Sequence, residues 1–306
     1  MNYGIIDMGS NTIRLCIYHY DNGTLNRIID RKEMAELAGY IKGGKLSQTG
    51  ISVACTALLS FREIVSNFTL DGLYVFATAS LRNISNTEMV VQIIKEQTGF
   101  DIEVLSGEEE ARLDFIGIFH ETDVQDGVMA DIGGGSTEIV LYENAKIIKA
   151  ACIPVGSLNL YSQYVKRLIP NTDERGQITA RIEEELSKID GLPDHKIPVL
   201  CGVGGTLRAA LKLNNRLFDE PAVNREFDTD HIRKILKRIA KDEIAMAKTI
   251  VKIVPERIHT ITTGLLILSA VIRRFGSEQV FVSGHGVREG YIYGKVLKEH
   301  DGALPL

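Results

Sequence analysis

Two copies of one mixed α/β unit, with strand and helix order β-β-β-α-β-α, are what this sequence predicts, and three observations carry the prediction. Ile6-Asp7-Met8-Gly9-Ser10-Asn11-Thr12 near the start and Ala130-Asp131-Ile132-Gly133-Gly134-Gly135-Ser136-Thr137-Glu138 in the middle follow one pattern: an apolar run, Asp, glycine with small polar residues, then a second β-rich run. Asp7 and Asp131 lie 124 residues apart, too far for a solenoid period and suited to a duplicated domain. At 306 residues and 33.8 kDa, with 44% hydrophobic and 25% charged residues, the chain has room for two cores of ordinary size.

The elements follow in order. Gly4-Ile5-Ile6-Asp7 opens a strand, Thr12 to Tyr20 is β-branched and aromatic enough to return as a second, and after the turn Asp21-Asn22-Gly23 a third spans Leu25 to Met34. A helix is predicted from about Thr49 to Asn67, a buried strand at Leu73 to Ala77, and a small-residue turn tipped with Arg82. Arg82 thus falls at the carboxyl end of a strand, where open α/β sheets bind ligands. Asn86-Thr87 is the expected cap of a helix from Glu88 to Thr98 that Gly99 stops, Ile102 to Leu105 is a strand, and Ser106 starts a helix carrying Glu108, Glu109 and Glu110.

The same order begins again at Gly127. Strands are predicted at Gly127 to Ile132, Thr137 to Tyr142 and Lys146 to Ile153; a helix opens at Gly156-Ser157 and another runs from about Thr172 to Ile189. The strand Ile197 to Cys201 ends in a third glycine loop, Gly202-Val203-Gly204-Gly205-Thr206. Thr229 to Gly276 reads as wholly helical, with Pro255 at a helix start and Gly276 at a stop, Gln279 to Val282 as a last strand, Ser283-Gly284-His285-Gly286 as a turn and Val287 to Lys298 as a closing helix. Domains are therefore expected at 1–122 and 123–294, with a helical insertion at about 214–276 and the segment 295–306 packing back on the first domain.

Glycines let successive backbone N–H groups approach an anion, and flanking acids hold a divalent cation that neutralises it. Each feature also has a plain structural reading. A glycine triplet between strands makes a tight hairpin; Asp7 and Asp131 suit Asx-turns; Ser106 and Glu109 form a capping box; Arg82 suits a solvent-facing arginine. The duplication is what favours a shared ligand for the two acids.

Composition excludes several classes. The longest nearly uncharged apolar stretch, Ile261 to Ile272, falls short of the roughly 20 residues a membrane span needs. Asp7 in the first apolar run argues against a signal peptide. Cys16, Cys55, Cys152 and Cys201 are far apart in apolar segments, without metal-ligand spacing, which predicts buried reduced thiols in a cytoplasmic protein. A net charge of −5 argues against binding to DNA, although residues 231–300 hold 13 Lys and Arg against 6 Asp and Glu, either as solvated helix faces or as a guide for a polyanion. A homodimer is the default oligomer.

Seven strings together resemble one family: IDMGSNTIRL from Ile6, ATASLRN from Ala77, VLSGEEEARL from Val104, ADIGGGSTEIV from Ala130, IPVGSLNL from Ile153, GVGGTLRAAL from Gly202 and VREG from Val287. The resemblance is to the exopolyphosphatase and guanosine pentaphosphate phosphatase (Ppx/GppA) family of the actin-like superfamily. It implies two duplicated actin-like (ribonuclease H-like) domains with an active site in the cleft between them, in a short form without the extra helical domains of long members. His285 departs from the pattern before VREG.

The resemblance also implies the chemistry: hydrolysis of the terminal phosphoanhydride of inorganic polyphosphate or of the guanosine pentaphosphate alarmone (pppGpp), with Mg²⁺ or Mn²⁺. Glu109 matches the catalytic glutamate that orients and deprotonates water, and only the family register selects it over Glu108 and Glu110. Asp131 and Glu138 would hold the metal with help from Asp7. The backbone at Gly9, Ser10 and Asn11 and at Gly133, Gly134, Gly135 and Ser136 would cradle phosphates, and Arg82 would pair with the terminal one. Gly204-Gly205-Thr206 either contacts a nucleotide or packs a helix onto a strand, and Arg288 and Glu289 suit a structural cap. A kinase-like phosphotransferase and a phosphate sensor with little turnover remain the alternatives of other classes.

Overall fold

The computed structural model describes residues 1–122 and 124–298. They form two compact units, Met1–Glu110 and the chain from Ala111 onward. The predicted packing of 295–306 falls largely outside the described residues.

In the first unit β1 (Asn2–Met8), β2 (Ile13–Asp21) and β3 (Thr24–Glu33) form an antiparallel meander. A short hairpin of β4 (Ile41–Lys42) and β5 (Lys45–Leu46), absent from the sequence reading, leads into α1 (Gln48–Val65). Then come β6 (Gly72–Ala77), α2 (Ala79–Arg82), α3 (Thr87–Thr98) and β7 (Glu103–Val104), and α4 (Gly107–Phe119) begins in this unit and continues into the second. The sheet order is β3-β2-β1-β6-β7, with β1 antiparallel to β2 and parallel to β6. That central place explains the apolar run of β1, since a strand covered on both faces has no polar side to present. Ile6, Met8, Ile13, Leu15 and Ile17 pack with Ile51, Leu58 and Phe61 of α1 in one core. Asn86 does not cap α3; its side-chain amide bridges the backbone N–H and C=O of Leu46, at 3.0 Å each, and ties α3 to the small hairpin.

The second unit repeats the plan. β8 (Gly127–Ile132), β9 (Thr137–Glu143) and β10 (Lys146–Ile153) make the meander, followed by α5 (Ser157–Tyr164), α6 (Thr172–Ser187), β11 (Val199–Val203) and α7 (Gly204–Leu217). After β12 (Glu226–Asp228), a strand that the sequence does not predict, the expected helical region comes in pieces: α8 (Asp230–Lys241), α9 (Glu243–Ile253), a 3₁₀ turn at Pro255–Arg257, where a helix start is expected, and α10 (Ile261–Phe275). Asp242 restarts the helix, its carboxylate accepting from the Ala245 amide at 2.9 Å. β13 (Gln279–Val282) and α11 (Val287–Tyr291), prolonged by a π-helical turn Ile292–Val296, complete the described chain.

The sheet order is β10-β9-β8-β11-β13-β12, so its first five places match the other sheet and β12 is an added edge. Ile232, Ile235 and Ile239 bury one face of α8, while Lys234, Lys237 and Lys241 lie on its solvent side. The basic excess there reads as a solvated helix face. Among the described residues no helix is long and apolar enough to cross a membrane.

Candidate functional site

Both hairpins close with the same bond: the Gly9 amide donates to Thr12 O at 3.0 Å, and the Gly133 amide donates to Ser136 O at 3.0 Å. Each loop then has its carbonyls drawn back by the segment that follows the third strand. In the first unit Ser10 O accepts from the Ala38 amide at 3.1 Å and Asn11 O from the Glu36 amide at 2.9 Å. In the second, the amino end of α5 does this work: Gly133 O accepts from the Ser157 amide at 2.8 Å, and Gly134 O from the amides of Leu158 and Asn159 at 2.9 and 3.0 Å. The Asn159 side-chain amide donates to Gly135 O at 2.8 Å, and its Oδ1 accepts from the Gly156 amide at 2.8 Å.

With the carbonyls engaged, the amides of the loops are left for something else. Among the described residues none accepts from the amides of Ser10, Asn11, Gly134 or Gly135. The Asn11 side chain is 5% exposed, and neither its Oδ1 nor its Nδ2 has a partner. Buried polar groups are rarely left unsatisfied, so an anion ligand is a natural complement to this arrangement.

Asp131 and Glu138 face each other across β8 and β9, which puts both side chains on one face of the sheet. Glu138 is 1% exposed, and its Oε1 accepts from Ser136 Oγ at 2.7 Å and from Cys152 Sγ at 3.2 Å. The prediction of four buried thiols therefore fails at Cys152, which is half-buried and points at a candidate ligand; Cys16, Cys55 and Cys201 are buried as expected. Burial pushes the Cys201 thiol up to about 11, partly offset by its hydrogen bond with Tyr142.

A glycine is required at 204. Its φ of +80° disfavours a side chain, and an added Cβ would lie 2.0 Å from Asp131 Oδ1. The third glycine loop thus lets the α7 terminus approach Asp131, a packing role. Asp131 and Glu138 offer two hard oxygen donors. Among the described residues no cluster of three or more His, Cys, Asp or Glu is set to hold a metal. Two carboxylates suit Mg²⁺, which keeps several waters and takes further oxygens from phosphate.

In the first unit, Asp7 lies opposite Arg14 of β2, whose guanidinium binds Asp30 at 2.6 and 2.9 Å. The position equivalent to Glu138 is therefore a cation. Met8 O, at the end of β1, accepts from Ser80 Oγ, which ties the ATASLRN turn to the first hairpin. Arg82 Nη1 pairs with Glu110 Oε2 at 2.6 Å and donates to Leu105 O at 3.2 Å. Glu110, weighed in the sequence only as a rival base, is thus the partner of Arg82. Ser106 Oγ accepts from the Glu109 amide at 3.1 Å, the cap bond that the sequence predicts, and Glu109 itself is half-buried.

Sequence reasoning missed Glu121, just beyond α4. Its carboxylate accepts from Arg225 Nη1 at 2.6 Å, Ser283 Oγ at 2.5 Å, the Gly284 amide at 2.8 Å and the His285 amide at 3.2 Å. The loop 283–286 is organised around this acid. Burial raises its pKa, yet the bonds from Arg225, Ser283 and His285 outweigh that and hold it at about 2. No local pattern marks Glu121, because its partners are more than 100 residues away. Glu289 is the structural cap expected, its carboxylate accepting from the Gly286 amide at 3.0 Å.

Comparison with known proteins bears on the fold and the family. The sequence profile of the Ppx/GppA phosphatase family matches residues 16–299. A curated relative, the guanosine-5'-triphosphate,3'-diphosphate pyrophosphatase of Aliivibrio fischeri, is 24% identical over 304 residues, which are 98% of this chain and 60% of the relative. This chain therefore spans about 60% of the length of the curated relatives it matches. Among solved structures, an exopolyphosphatase from Cytophaga hutchinsonii has a TM-score of 0.86 at 21% identity, with 97% of this chain and 98% of that one covered. A Ppx/GppA member from Aquifex aeolicus has a TM-score of 0.80 at 24% identity, with 98% and 99% covered. These likenesses bear out the actin-like fold class, and the match to the family profile over nearly the whole chain makes the protein a member of the Ppx/GppA phosphatase family.

Proposed function

We propose that this protein is a phosphoanhydride hydrolase that releases the terminal phosphate of inorganic polyphosphate. The observation that carries the reading is the pair of glycine hairpins with tied-back carbonyls, in which the amides of Ser10, Asn11, Gly134 and Gly135 remain available. Backbone donors of this kind bind phosphoryl oxygens without sequence-specific side chains, and they are pre-organised for charge that grows in the transition state.

The roles follow from the chemistry of phosphoryl transfer, which needs positioning and charge neutralisation more than covalent help. Asp131 and Glu138 would hold a Mg²⁺ ion, which would supply neutralisation of the phosphoryl oxygens. The hairpins Gly9–Asn11 and Gly133–Ser136 cradle phosphate through the amides of Ser10 and Asn11 in one and of Gly134 and Gly135 in the other. Arg82, released in part from Glu110, adds a cation at the terminal group. Glu109 orients a water and takes its proton. Ser136 binds and orients and is no nucleophile; its hydroxyl is committed to Glu138.

A second reading, hydrolysis of pppGpp, is favoured by the name of the curated relatives. One assay separates the possibilities: phosphate release from long-chain polyphosphate, pppGpp and ATP with Mg²⁺, for wild type and Glu109→Ala. The expected result is release from polyphosphate that falls by about 10²–10⁴-fold in the variant. Preferential release from pppGpp would select the second reading, and release that survives the substitution would remove Glu109 as the base. Transfer from ATP to a sugar or carboxylate without release would establish a kinase instead.

A further inference from the structure

We propose that Cys152 is a positioning residue for the metal-binding carboxylate of Glu138. This inference rests on the reading of Glu138 as a metal ligand and goes beyond it. Asp131, Glu138 and Cys152 occupy one row across three adjacent strands, since Asp131 pairs with Glu138 between β8 and β9 and Glu138 pairs with Cys152 between β9 and β10. Directly opposed residues on neighbouring strands share a sheet face. The three side chains therefore form a line of acid, acid and thiol.

Cys152 Sγ donates to Glu138 Oε1 at 3.2 Å, and Ser136 Oγ donates to the same oxygen at 2.7 Å. Two donors converging on one oxygen fix the rotation of the carboxylate and hence the direction in which it presents its charge. Thiols are weak donors, but a bond to a carboxylate that is itself 1% exposed is strengthened by the low dielectric around it. Groups that orient metal ligands in this way affect affinity strongly although they never touch the ion. The other three thiols are buried, so Cys152 stands apart in exposure.

The test uses Mn²⁺ as probe, its binding to the full chain followed by the loss of the free-ion electron paramagnetic resonance signal. Melting midpoints and the Mg²⁺ dependence of phosphate release are measured alongside. Cys152→Val removes the donor while keeping bulk and strand propensity, Cys152→Ala replaces it if valine impairs folding, and Cys152→Ser keeps a donor. The valine variant is expected to bind Mn²⁺ about tenfold more weakly and to need correspondingly more Mg²⁺, with kcat at saturating Mg²⁺ little changed, and serine to restore near wild-type binding. Wild-type Mn²⁺ affinity in the valine variant, with only the melting midpoint lowered, would overturn the proposal, as would equal losses in valine and serine. Glu138→Ala separates the two levels. If it too binds Mn²⁺ normally, the metal role of Glu138 falls and this inference with it; if it alone loses Mn²⁺, only the positioning role of Cys152 falls.

Discussion

Gly156 lies against the backbone of Gly134 so closely that a Cβ added at 156 would sit 2.4 Å from the Gly134 carbonyl carbon and 2.5 Å from its oxygen. The amino end of α5 and the glycine loop form one rigid piece, and the amides of Leu158 and Asn159 complete it. Gly156→Ala is therefore expected to push the loop away, destabilising the protein by about 1–3 kcal/mol and raising the KM for polyphosphate more than it lowers kcat. Thermal melting together with steady-state phosphate release checks this, and an unchanged KM would refute the link.

Arg82 and Glu110 form a largely buried ion pair, with side chains 15% and 9% exposed. Removing one partner strands the other, so Arg82→Ala should cost about 2–4 kcal/mol. The double variant Arg82→Ala/Glu110→Ala should recover most of that stability. If Arg82 also binds phosphate, the double variant stays impaired in phosphate release; if the pair is purely structural, activity returns with stability.

Glu121 gives the protein a defined sensitivity to acid. Its folded pKa of about 2 is below the ordinary carboxylate value of 4.5, so its contribution is fully present above about pH 4.5 and is lost as pH falls towards 2. At this half-buried site the contribution is about 2 kcal/mol once solvent screening is allowed for. Glu121→Gln should lower stability at pH 7 and flatten the loss between pH 4.5 and 2, which urea unfolding across that range measures. An unchanged slope would show that other groups govern acid unfolding.

Most of the architecture is legible along the chain because it is periodic or duplicated. The runs around Ile5 and Val128 are apolar on both strand faces, as central strands must be, and their returns at Ile13 and Thr137 follow glycine turns. Helix ends marked by Gly99 and Gly276 lie where expected. The helical tract from Thr229 to Gly276 and its helix start at Pro255 are legible too, but β12 before it has only 3 residues, too few to show an alternation, and the restart at Asp242 depends on a single side-chain cap.

By itself the sequence determined that there are two hairpins of the same kind, which acids stand beside them, and that Ser106 caps the helix of Glu109. Those properties depend on residues a few positions apart. Only the tertiary structure decided which loop carbonyls are tied back, that Glu110 holds Arg82, that Asp131 lies against Gly204, and that Cys152 and Ser136 share one oxygen of Glu138. Apart from the Ser136 bond, these contacts join residues 14 to 73 positions apart. Strand register and the packing of helix ends against loops set them, and neither is encoded in local spacing.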